Sequence, residues 1–217
     1  MKLLKLNCKT LDELLGGGVY SGSITEIYGE AGSGKTNICL QASIQCALKG
    51  KKVAYIASRN ISLERVNQLC KDEKSKDFLS NILFFYPSSY QEQEKMIKNA
   101  LEINDIELII LDSFNTFYSL LLEKDKKLAI RILNRQITEL QLSAMEKDLL
   151  IIIVGQVFSI ENDDVRPFGG KVIQRMVKTI LKLEKLNDGR RMATIIKHPI
   201  KENGLNAVFK ITEKGLE

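Results

Sequence analysis

The chain has 217 residues, 44% hydrophobic and 27% charged, with a formal net charge of +5. The length suits one sizeable α/β domain, the composition is that of an ordinary soluble globular protein, and the mild positive charge permits a polyanionic partner without demanding one. No apolar run reaches membrane-spanning length and the start is too broken for a secretory signal, so a cytoplasmic protein without a membrane partner is expected.

A short segment, residues 1–20, precedes an apolar strand, Ile24–Tyr28. The strand runs into Gly29-Glu30-Ala31-Gly32-Ser33-Gly34-Lys35-Thr36, which reads G-x-x-x-x-G-K-T, and a helix is predicted from Asn37 to Lys49. Strand, glycine-rich loop and helix in that order define a P-loop. Its glycines let backbone N–H groups and a helix N-terminus face a polyphosphate, Lys35 reaches the β- and γ-phosphates, and the Thr36 hydroxyl joins a Mg²⁺ site. ATP and Mg²⁺ are therefore the expected cofactors. Cys39 and Cys46 lie seven apart on the following helix and should both face the core. Four cysteines without C-x-x-C spacing fit a reducing compartment.

Further along, apolar runs rich in β-branched residues (Val53–Ala57, Ile82–Tyr86, Leu108–Leu111, Leu149–Val154) alternate with helix-like stretches (Leu63–Cys70, Gln91–Ile103, Ala129–Glu146). Strands apolar on both faces and alternating with helices predict a parallel sheet covered on both sides. Glu107–Asp112 is a strand ending in a carboxylate, the form of a Walker B element, with Asp112 opposite Thr36 at the metal. Leu149–Val154 ends in Gly155-Gln156, where a glutamine can sense a γ-phosphate. Past Thr179, three short strands (Ile180–Leu186, Met192–Lys197, Ala207–Thr212) are joined by Asn187-Asp188-Gly189 and Glu202-Asn203-Gly204, both hairpin-turn signals. The expected fold is a mainly parallel central sheet flanked by helices, closing in C-terminal antiparallel hairpins.

The wider pattern resembles the RecA/RadA recombinase core. The likeness runs through Leu11–Gly18, Gly22–Gly29, Glu64-Arg65, Leu111-Asp112-Ser113, Gln156-Val157, Arg166–Gly170 and Phe209–Gly215, nearly the whole chain. RadA proteins carry an extra N-terminal helix-hairpin-helix domain, whereas this sequence starts almost at the core. One RecA-like ATPase domain over residues 1–217, with no separate N-terminal DNA-binding domain, is expected, as in the short archaeal members of the family. The resemblance implies a nucleotide site built from Gly29 to Thr36, Asn37, Arg65, Asp112 and Gln156. Arg65 would stack on adenine, a use suited to a flat guanidinium.

One departure bears on catalysis. In the family the strand after the P-loop helix ends in Asp-Thr-Glu, and the glutamate handles the attacking water. Here the strand ends Tyr55-Ile56-Ala57-Ser58-Arg59, so Arg59 replaces that glutamate. A guanidinium cannot accept a proton. The expectation is ATP binding with at most a very weak, DNA-independent ATPase activity, unless Glu26, Glu30 or Glu64 reaches the water.

The loop after Gln156 carries Arg166, Phe168, Gly169, Gly170 and Lys171, with Arg175 just beyond. Cations for phosphates and an aromatic for a base suit DNA binding, and the family's second DNA-binding loop lies in this position. The acidic run Glu161–Asp164 opposes it. Ser113–Lys127 is a second loop candidate, and Arg190-Arg191 sits at a hairpin turn. Lys197, His198 and Pro199 fall where a neighbouring subunit caps the nucleotide in RecA-like assemblies. The aromatic-x-x-Ala linker through which the family polymerises is not found, so a homodimer or small oligomer is expected. The leading reading is a recombination and repair accessory protein acting with DNA (single-stranded or branched) and with recombinase or junction-processing proteins. The alternative is a KaiC-like regulatory P-loop ATPase acting on protein partners.

Overall fold

The computed structural model describes residues 2–71, 73, 75–156, 158–160, 164–166 and 170–217, with the backbone alone described at 120, 156, 158–160, 164–166 and 170–172. The elements begin with β1 (Leu3–Leu4), α1 (Lys9–Leu14), β2 (Val19–Tyr20), β3 (Ser23–Gly29) and α2 (Lys35–Ala47). They continue through β4 (Lys52–Ala57), α3 (Leu63–Leu69), β5 (Ile82–Phe85), α4 (Tyr90–Leu101), β6 (Ile106–Asp112), α5 (Thr116–Lys124), α6 (Lys126–Lys147) and β7 (Leu150–Gln156). After β8 (Phe158–Ile160), β9 (Asp164–Arg166) and α7 (Gly170–Met176) come β10 (Thr179–Lys185), β11 (Arg191–Lys197), β12 (Asn206–Phe209), β13 (Ile211–Thr212) and β14 (Gly215–Leu216).

Eight strands form one sheet in the order β12-β11-β10-β3-β7-β6-β4-β5. From β10 to β5 the pairings are parallel, and β10-β11-β12 are antiparallel. The doubly apolar strands explain the layering. Leu108 and Ile110, Leu150 and Ile152, and Val53 and Tyr55 point into a core shared with α2 and the N-terminal segment. Ile109 and Leu111, Ile151 and Ile153, and Ala54 and Ile56 point into a second core under α4 and α6. Alternate residues of each strand thus feed opposite cores. Serine and aspartate caps start the helices: Ser62 accepts from the Arg65 N–H, Ser89 from Glu92 and Asp125 from Leu128.

Three expectations change. The last predicted strand, Ala207–Thr212, breaks at Lys210, where the backbone leaves β11 and exchanges two hydrogen bonds with Glu217. Ser113–Lys127 is mostly helix rather than loop, because Phe114 and Tyr118 are buried in the second core and pin α5 down. The region 158–174 contains a β8-β9 hairpin and α7, with residues 161–163 and 167–169 outside the described residues. The two C-terminal turns form as anticipated, with Gly189 at φ +83° and Gly204 at φ +88°.

Candidate nucleotide-binding site

The carboxyl ends of β3, β4 and β6 meet the N-terminus of α2 around a cavity of about 740 Å³. Gly29, Glu30, Ala31, Gly32, Lys35, Thr36, Ser58, Arg59 and Asp112 line it, together with Ile61 and Ser62. A Cβ at Gly29 would sit 2.2 Å from the Leu183 carbonyl oxygen, so only glycine lets β10 approach the loop this closely. Gly34 has φ +105° and a Cβ there would meet Ile211, so the loop's second fixed glycine is demanded by both conformation and space. The Ser33 side chain is buried, and the exposed Ala31 and Gly32 form the outer rim.

Lys35 Nζ donates to the Gly29 and Glu30 carbonyl oxygens, both at 2.7 Å. Burial lowers its pKa, and the nearby Asp112 carboxylate opposes that shift. The Thr36 hydroxyl donates to Asp112 Oδ2 at 2.7 Å, and the Tyr55 phenol donates to the same oxygen at 2.8 Å. Burial and the Asp112 charge together hold Tyr55 neutral, well above its usual range. These residues fit magnesium triphosphate: a hydroxyl and a carboxylate converge beside an ammonium and a helix N-terminus that has no acidic residue in its first turn. Sequence reasoning missed Tyr55, which reads as one more apolar residue of a core strand.

At the end of β4, the Ser58 N–H donates to the Asp112 carbonyl oxygen at 2.8 Å, while Ser58 Oγ accepts from the Ser113 N–H at 3.1 Å. Ser58 Oγ also contacts Thr116 Oγ1 at 3.0 Å. These bonds fix the point where Arg59 leaves the sheet, next to the Walker B strand. Of the three glutamates considered as substitutes for the missing base, Glu30 lines the cavity and Glu26 and Glu64 do not. Glu26 is buried in β3, its Oε2 without a hydrogen-bond partner among the described residues, and burial pushes its pKa up to about 8.

Arg65 Nε donates to Asn37 Oδ1 at 2.7 Å and its Nη1 to Gln68 at 3.1 Å. Arg65, expected to stack on adenine, is thus joined to Asn37, another expected nucleotide-site residue, across α3 and α2. Gln156, at the end of β7, pairs in register with Gly29 and so stands at the P-loop end of the sheet. Arg191 was missed as a site residue. Its Nε donates to the Gly32 carbonyl oxygen at 3.0 Å, and its Nη1 also reaches the Gly189 carbonyl, tying the β10-β11 turn to the P-loop. Lys197 Nζ caps carbonyls at the end of α7, Gln174 at 2.6 Å and Val177 at 2.7 Å. His198 Nδ1 accepts from Lys201 N–H at 3.1 Å, and its ring meets Tyr20 edge-on, a packed histidine.

Among the expected DNA contacts, Arg166 is on β9, Gly170 and Lys171 are on α7, and Arg175 is exposed on α7. Phe168 and Gly169 lie outside the described residues. All four cysteines are free and buried, Cys39 and Cys46 facing the core as expected. Among the described residues no helix is long and apolar enough to cross a membrane.

Fold and loop geometry together define a RecA-like core with a P-loop. The family model for Rad51 matches residues 2–217, and the chain belongs to that family. It is 39% identical to the DNA repair and recombination protein RadB of Methanococcoides burtonii over 216 residues, covering 97% of this chain and 95% of the relative. Similarity extends to the proteins of the same name from Thermoplasma acidophilum (38%, covering 95% and 90%) and Archaeoglobus fulgidus (36%, covering 99% and 98%). Among solved structures, the RadB recombinase superposes with a TM-score of 0.87 at 33% identity over 99% of each chain. The resemblance read from the sequence is borne out.

Proposed function

We propose that this chain is an ATP- and DNA-binding accessory protein of recombination and repair, with very weak ATP hydrolysis and no efficient strand exchange of its own. One observation carries the reading: Lys35 and the bonded Thr36–Asp112 pair, groups suited to phosphate and metal, line one cavity with an arginine where the family resemblance implies a glutamate. Lys35 would hold the terminal phosphates, and Thr36 and Asp112 would hold Mg²⁺, which neutralises phosphate charge. Arg65 and Asn37 would flank the base, and Gln156 would report the γ-phosphate to the segment that follows. Binding needs the cradle, while hydrolysis also needs a water held by a proton acceptor. Loss of a positioned base removes about 10²–10⁴-fold of rate.

DNA binding rests on Arg166, Phe168, Gly169, Gly170, Lys171 and Arg175, placed after the γ-phosphate sensor. Recombinase or junction-processing proteins are the proposed partners, in a homodimer or small oligomer, in the cytoplasm. Membership of the Rad51 family favours this reading over a KaiC-like regulator of proteins. The test is single-stranded DNA binding across a salt series with ATP, with ADP and without nucleotide, following phosphate release in the same samples. Salt-sensitive binding with negligible release is the expected result. No DNA binding under any nucleotide condition would move the protein to the regulatory ATPases.

A further inference from the structure

Arg59 is exposed, lines the phosphate cavity and has no hydrogen-bond or ion-pair partner among the described residues. Most other cations that touch this site are engaged: Lys35 with two P-loop carbonyls, Arg65 with Asn37 and Gln68, Arg191 with the Gly32 carbonyl. Arg59 therefore brings a free guanidinium to a cavity already shaped for anions. Its place along the nucleotide is fixed by the backbone. Ala57 and Asp112 are register partners at the carboxyl ends of β4 and β6, and the Ser58 N–H is bonded to the Asp112 carbonyl. Arg59 thus leaves the sheet beside the Thr36–Asp112 pair, the end of the cavity where β- and γ-phosphate oxygens meet a metal.

We propose that Arg59 is a γ-phosphate clamp: it pairs with the terminal phosphate and makes this site selective for the nucleoside triphosphate over the diphosphate. The inference rests on the nucleotide-binding reading and deepens it. A planar guanidinium with five donors matches a phosphate's oxygens bidentately, and charge-assisted bonds of this kind are the strong ones. The diphosphate lacks the group Arg59 would hold, so binding energy from this residue is spent on the triphosphate alone. A carboxylate at the same position would repel that phosphate. The substitution therefore removes a base and adds a retaining contact, which turns a hydrolytic site into a holding site. The bound triphosphate then acts as a lasting structural state.

The test is isothermal titration of Mg²⁺-ATP and Mg²⁺-ADP into the intact protein, the Arg59→Ala variant and the Arg59→Lys variant. Arg59 is exposed and has no partner among the described residues, so folding of the variants is checked by thermal melting and should match the parent within a degree or two. The expected result is an affinity for ATP that falls about 10- to 100-fold in Arg59→Ala, with ADP affinity changing less than about twofold. Arg59→Lys should recover part of the loss, because it keeps the charge and not the fork. Equal losses for both nucleotides, or none for either, would overturn the clamp while leaving the nucleotide site standing. Failure of the parent protein to bind either nucleotide would overturn the site and the clamp together.

Discussion

Thr36 and Asp112, 76 positions apart in the sequence, are joined by a 2.7 Å hydrogen bond from the threonine hydroxyl to Oδ2 of the carboxylate. The bond holds the first turn of the P-loop helix against the end of the Walker B strand. The hydroxyl and carboxylate proposed to help hold Mg²⁺ are therefore already side by side.

Tyr55 supports that arrangement from beneath, its phenol bonded to the same Asp112 oxygen at 2.8 Å. Groups that orient a metal ligand affect metal affinity about 10- to 100-fold when removed. Tyr55→Phe should weaken Mg²⁺-dependent nucleotide binding by that factor and leave Mg²⁺-free binding nearly unchanged. It should also destabilise the fold by about 1–2 kcal/mol, because Asp112 loses a buried donor. Titrations with and without Mg²⁺, paired with denaturant melts, check both.

Arg191 ties the β10-β11 turn to the P-loop through the Gly32 carbonyl. The contact is exposed, so its effect is modest. Arg191→Ala should lower nucleotide affinity about two- to fivefold and speed hydrogen exchange at the amides of residues 30–34, with no change in melting temperature beyond a degree or two. Exchange rates identical to the parent would show that the loop holds its shape without the strap.

Glu26 sets a pH dependence. Its carboxyl is raised from an ordinary 4.5 to about 8 by burial, so the folded chain keeps a proton that the unfolded chain releases. The unfolded state binds fewer protons between those values, and stability must fall there as pH rises, by up to about 1.4 kcal/mol per pH unit. Glu26→Gln should remove this slope, gaining on the parent from pH 4.5 to pH 8 and by a constant amount above. Denaturant melts at several pH values would show parallel curves if Glu26 had no such role.

For the DNA surface, Arg175 is the member of the proposed set whose side chain is described and exposed. Arg175→Ala should weaken binding to single-stranded DNA of any sequence and reduce the slope of log affinity against log salt by about one ion. An unchanged slope would remove Arg175 from the interface.

The local motifs were legible from the sequence because each is read within one strand-loop-helix unit. The P-loop and Asp112 formed at their expected positions, and the alternation of apolar runs with helices predicted the parallel sheet. What lay outside that reach depended on long-range pairing. Arg191 touches Gly32 across 159 positions, and nothing in a hairpin turn says which loop it will face. Tyr55 reads as core until its hydroxyl is seen to have a buried acceptor. Ser113–Lys127 is a loop candidate by its place after Asp112, yet the burial of Phe114 and Tyr118 in the second core makes most of it helix. Lys210 pairs away from β11 because Glu217 supplies a backbone match that no turn signal announces.

A site built as proposed holds ATP without consuming it. The most direct measurement loads the protein with γ-labelled ATP and Mg²⁺, removes free nucleotide, and follows the bound nucleotide over time with and without single-stranded DNA. Arg59→Glu and Lys35→Ala are run beside it. Bound ATP should stay intact through many cycles of DNA binding, DNA should not change this, and Arg59→Glu should increase turnover. Rapid conversion to ADP in the parent protein, absent from Lys35→Ala, would contradict this reading.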